Sequence, residues 1–172
     1  LAQLPKPSFE HLPKKGLLHN KNKKISMQNL AIRYGSMMFA GFTLFFLLMN
    51  AFGIASNTNL RIFNFVIHIA FIYLAIKSYR ETHRDTFQNY AKGLVLGMYT
   101  SAIGVLGFTV FFSLYLSINP TLMLDFKQSL PLSKYLNPFT LSIFVLVEGT
   151  AVSLIASYIL SRVVGLQLSN SK

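Results

Sequence analysis

Residues 34–60 read YGSMMFAGFTLFFLLMNAFGIASNTNL, and no charge falls anywhere in them. The inner part, MMFAGFTLFFLLMNAFGIA, is close by itself to the ~20 apolar residues that carry a helix across a bilayer. Its apolar residues run on without the period-two alternation of a barrel strand, so the stretch reads as a transmembrane helix. Three more such runs follow. Residues 62–76 carry no formal charge and stop at Lys77, whose stem can reach the interface. Residues 93–124 carry none across 32 positions, and the run after Asn137-Pro138 continues to Ser161 with one interruption, Glu148. Asn119-Pro120 closes the third span, because proline lacks an N–H and restricts the residue before it. Asn137-Pro138 opens the fourth as an N-cap followed by proline at the first helical position. The sequence thus predicts an all-α, integral membrane four-helix bundle with spans at about 33–55, 60–79, 90–118 and 138–162. These spans form a domain over 29–165, between a basic Pro/Lys-rich tail, 1–28, and a short C-terminal tail, 166–172.

Composition agrees. Of 172 residues, 52% are hydrophobic and 12% charged, too apolar a mix for a soluble domain. The net charge is nevertheless +11, and its placement sets an orientation. Residues 1–33, the 77–92 loop and the C-terminal end hold 13 Lys and Arg, against three on the other side, Arg61, Lys127 and Lys134. The positive-inside rule then predicts N and C termini in the cytoplasm. Tyr34, Tyr79 and Tyr90 fall at the expected inner interface, and Tyr115 and Tyr135 at the outer one.

The first 29 residues do not read as a signal peptide, since the following span is too long for an h-region and no small-residue cleavage site follows. They read as a basic tail whose Lys14, Lys15, Lys21, Lys23 and Lys24 meet anionic headgroups or a partner, at ~1 kcal/mol per basic residue near an anionic surface. Absence of cysteine excludes disulfides, thiolate metal sites and cysteine nucleophiles. No phosphate-binding glycine loop, metal-ligand pair or Ser-His-Asp arrangement is present, so no enzyme activity, metal or cofactor is expected. Of the four histidines only His68 lies in a span, which excludes bis-histidine haem ligation within one chain. Nucleic acid is excluded as a partner because the aromatics sit in apolar runs where they cannot stack on bases.

Glu148 is the leading intramembrane candidate. It lies ten residues into the fourth span, roughly 15 Å deep, where an ionised carboxylate costs several kcal/mol unless paired or wet. It is either a proton or cation site or a neutral group hydrogen-bonded to a neighbouring helix. His68 is its natural partner, about 12 Å into the second span. Arg61, Asn64 and His68 are spaced i, i+3, i+7 and form one polar stripe, either an access path or an interhelical hydrogen-bonding face. Gly93, Gly97, Ser101 and Gly104 draw a stripe of small residues on the third span, with Gly149, Ser153 and Ala156 on the fourth; these faces are expected to pack on one another or on a partner protein. Asp85 and Gln88 resemble a capping box in a structured inner loop that could also dock a soluble partner or anionic lipid. Leu122, Met123, Phe126 and Leu130 sit at helical spacing and predict a short interfacial helix in the outer loop.

Four stretches together resemble a bacterial family of four-span membrane proteins catalogued as domain of unknown function 4199. They are KKISMQNLAIRYG (23–35), AIKSYRETHRDTFQNYAKGLVLGMYTS (75–101), LSINP (116–120) and EGTAVSLIASYILSR (148–162), so the resemblance covers about 23–165. It implies four helices in a bacterial inner membrane and no assigned activity. Residues 1–22 exceed that family's usual short N-terminus. The expected function is a non-catalytic accessory subunit of a larger bacterial inner-membrane complex, respiratory or otherwise energy-transducing, with lipids and other membrane subunits as partners. The alternatives are a small proton- or cation-coupled transporter or channel using Glu148, and a membrane assembly factor.

Overall fold

The computed structural model describes residues 26–83, 89–129 and 135–170. Among these residues the chain forms helices and no strand. The long helices are α1 (Met27–Ala51), α2 (Arg61–Thr82), α3 (Asn89–Ile118) and α5 (Pro138–Asn170); a short helix, α4 (Pro120–Ser129), connects the last two. The four long ones are apolar and long enough to cross a membrane. The protein is therefore a multi-pass helical membrane protein.

Local chemistry explains the helix ends. Gly53 takes φ +71°, the left-handed conformation that ends a helix at little cost only for glycine. Around it Gly53 N–H donates to the Asn50 carbonyl at 3.0 Å and Ile54 N–H to the Met49 carbonyl at 3.0 Å, the paired bonds of a Schellman stop. So α1 ends at Ala51, four residues short of the expected span end. At the other end it begins at Met27, because only the apolar part of a helix has to match the bilayer. For the same reason α5 runs to Asn170, beyond the expected span end and through the segment read as a short tail. Asn137 caps α5, its Oδ1 accepting from Thr140 N–H at 2.7 Å. Pro120 ends α3 and opens α4, which buries Leu122, Met123 and Phe126 against the bundle. Leu130, the Asp85–Gln88 pair and the basic tail with Lys14, Lys15, Lys21, Lys23 and Lys24 lie outside the described residues.

In the bundle α3 packs most extensively, against α5 and α1, while α2 touches α1, α3 and α5. The small residues sit along these seams. Gly93 and Gly97 face Ser161 and Ser157 of α5, Gly149 faces Val105 of α3, and Gly104 turns instead to Met38 of α1. Toward the α4 end the core is aromatic. Phe46 stands edge-on to Phe112 and Tyr115 with ring centres 5.2 and 5.3 Å apart, an arrangement worth about 0.5–1.5 kcal/mol per pair beyond area burial. Asn50 Nδ2 donates to the Tyr115 hydroxyl at 2.9 Å and ties α1 to α3 there. The outward faces carry Leu44, Ile62, Val110, Val147 and Ile155, all exposed, as acyl chains rather than water require.

A Cβ added at Gly97 would collide with the Ser157 side chain, so α3 and α5 hold their spacing only with glycine here. Gly97→Val should destabilise the bundle by about 1–3 kcal/mol and lower its thermal midpoint in nanodiscs. Ala102→Val, on the exposed side of α3, should leave the midpoint unchanged. Equal midpoints for the two variants would contradict this packing.

Candidate functional site

His68 is where the long helices meet. Its ring is 3% exposed and lies on α2, with Nε2 2.5 Å from Ser101 Oγ on α3 and 3.2 Å from Ser153 Oγ on α5. On α1, Phe42 packs edge-on to the imidazole at 5.6 Å between ring centres. Ser153 has one hydroxyl proton and donates it to the Gly149 carbonyl at 2.6 Å. It must therefore accept from His68, which makes Nε2 the donor, shared between two serine oxygens. In hydrocarbon such a polar group is costly without partners, and Ser101 and Ser153 supply them. Both serines lie in the small-residue stripes, which brings their helices near enough for the ring to reach each of them.

Above this junction, toward α4, the helices part around a cleft of about 120 Å³. His68, Asn64 and Glu148 line it together with Phe42, Phe46, Phe65, Phe108, Phe112 and Phe126. Asn64 buries its amide oxygen without a hydrogen-bond partner. Two lining residues are exposed, Phe65 of α2 and Glu148 of α5, so the mouth opens sideways between those helices. Glu148 thus stands at the rim of the cleft. Arg61 is the first residue of α2, and its side chain lies outside the described part.

Arg80 was not legible as a site residue, since it reads in sequence as one more cation of the inner loop. It is buried, and its Nη2 donates to the Ser161 carbonyl of α5 at 2.5 Å. Gly165 leaves the room: a Cβ there would lie 2.5 Å from Arg80 Nη1. The available signal was spacing, because Arg80 follows the buried Ile72 and Ile76 at successive four-residue steps on one helix face.

Compared with protein-family models, curated proteins and solved structures, the chain matches none. Its class is that of a multi-pass helical membrane protein, and the site is read from its own geometry.

Two outcomes follow from these contacts. Ser101→Ala should cost about 0.5–1.5 kcal/mol in wild type and almost nothing in a His68→Leu background, measured as a double-mutant cycle of unfolding in detergent. Identical costs in both backgrounds would mean that the imidazole bond contributes nothing. Arg80→Met, which keeps the apolar stem and removes the donor, should cost about 1.5–3 kcal/mol in the same assay. An unchanged midpoint would contradict a stabilising bond to Ser161.

Proposed function

We propose that this protein binds and passes a cation or proton at membrane depth, with Glu148 carrying the compensating charge. The observation that supports the reading is the meeting of Glu148, His68 and Asn64 around one cleft, although they come from two helices distant in sequence. An ionisable carboxylate at membrane depth is the kind of group through which a proton or cation passes. Asn64 adds a second polar side chain to the lining. The distribution of Lys and Arg supports an orientation with both termini in the cytoplasm, and in that orientation the cleft would open in the outer half of the bilayer.

A second reading, the non-catalytic accessory subunit of a larger inner-membrane complex, draws on α5. Only 17% of its most apolar 18 residues are buried within this chain, the smallest share among the four long helices. Lipid would cover that face as well as another subunit would. Mass spectrometry of proteins copurifying after a high-salt wash separates the two, because stable partners in fixed stoichiometry favour the subunit.

The test of the first reading is flux. Full-length protein in liposomes should dissipate an imposed proton or sodium gradient, and Glu148→Gln should slow this by at least about tenfold, a loss of about 1.4 kcal/mol. Equal rates in wild type and variant would overturn the role of Glu148.

A further inference from the structure

We propose that the cleft between α2 and α5 is a binding site for an uncharged aromatic ring, carried by a molecule dissolved in the membrane. The inference goes beyond the cation reading and does not depend on it. The polar groups around the cleft are engaged or turned away. Glu148 already has an interaction within the chain, and His68 Nε2 is shared by two serines. The Asn64 amide oxygen is buried, with almost no surface open to the cleft. A charged or strongly polar ligand would therefore lose its water without gaining matching bonds, which is unfavourable. What the cleft mainly presents is hydrocarbon, six phenylalanines together with Val105, Val145 and Val152.

These walls favour a ring over other apolar bodies. Phe42 and Phe46 of α1 and Phe108 and Phe112 of α3 already form an array with neighbouring ring centres 5.2 to 6.2 Å apart. Such spacings are those of attractive aromatic pairs, in which the positive edge of one ring meets the negative face of another. A bound aromatic ring extends the array. A saturated chain of equal area has no quadrupole and gains only the burial of its surface.

Size and access point the same way. An apolar cavity of roughly 150 Å³ stays dry and holds benzene, so about 120 Å³ with one open side accommodates one ring. The mouth lies between Phe65 of α2 and Glu148 of α5, both exposed, and faces sideways, so entry is from the membrane. His68 bounds the cleft at one end and Phe126 of α4 at the other, which leaves the mouth as the way out for any tail that the ring carries.

The experiment is fluorine-19 NMR of fluorobenzene with the full-length protein in nanodiscs, referenced to empty nanodiscs that report ligand dissolved in lipid. A saturable bound resonance should appear only where protein is present. Toluene should displace it at least about tenfold more effectively than methylcyclohexane or hexane at equal concentration in the lipid. Val152→Phe and Val145→Phe fill the cleft at two levels of α5, and each should weaken binding by at least about tenfold. Val110→Phe, on the exposed side of α3, should leave binding unchanged. Circular dichroism verifies that each variant is folded. Absence of a bound resonance, or one that persists in both filling variants, would overturn the proposal. Equal displacement by toluene, methylcyclohexane and hexane would overturn it too and assign the cleft to lipid tails. Glu148-dependent flux without bound fluorobenzene would overturn this site and leave the cation reading in place.

Discussion

Within hydrocarbon a polar group has no water to fall back on, and the bundle is organised around satisfying one such group, the imidazole of His68. To place oxygens on either side of Nε2, α3 and α5 must both approach α2 closely. Close approach needs small residues, and the α3–α5 seam is built of them, with Gly93 against Ser161, Gly97 against Ser157 and Gly149 against Val105. The junction and the seam are one device. The serines that accept from His68 are also small enough to let the backbones meet.

The same geometry has a consequence on the side toward α4. Helices held together at the junction diverge above it, and large aromatic side chains fill most of the resulting space. Phe46 stands edge-on to Phe108 and Phe112, which stack on each other, and a cleft remains beside them instead of a closed core. Polar groups that are not drawn into the junction, Asn64 and Glu148, then line that cleft. At the opposite end Arg80 takes the corresponding structural part, fastening α2 to α5 through the Ser161 carbonyl. The chain therefore has a pinned half and a parted half, and the chemistry collects in the parted one.

The four spans were legible because a long uncharged run is a local property, readable without knowing what packs on what. Helix caps were legible where side chains do the capping, as at Asn137, and less so at Gly53, whose left-handed turn shortens α1. Depth arithmetic from 1.5 Å per residue put His68 and Glu148 at similar levels, and the two do line one cleft. Which way each points was not legible, since a helix apolar on all sides has no polar face to orient it. Ser101 and Ser153 read as spacers in sequence, and their second role as partners of the imidazole depends on three helices coming together. Arg80 was hidden for a different reason, in that a cation near a span end looks like an interface anchor until a glycine on another helix makes room for it.

The central claim is that Nε2 of His68 is a buried donor shared by Ser101 and Ser153. Nitrogen-15 NMR of histidine-labelled protein in nanodiscs tests it most directly. The account predicts a proton on Nε2 in slow exchange with water, with a resonance that shifts in both Ser101→Ala and Ser153→Ala. An Nε2 without its proton, or a resonance unmoved by either substitution, would contradict it.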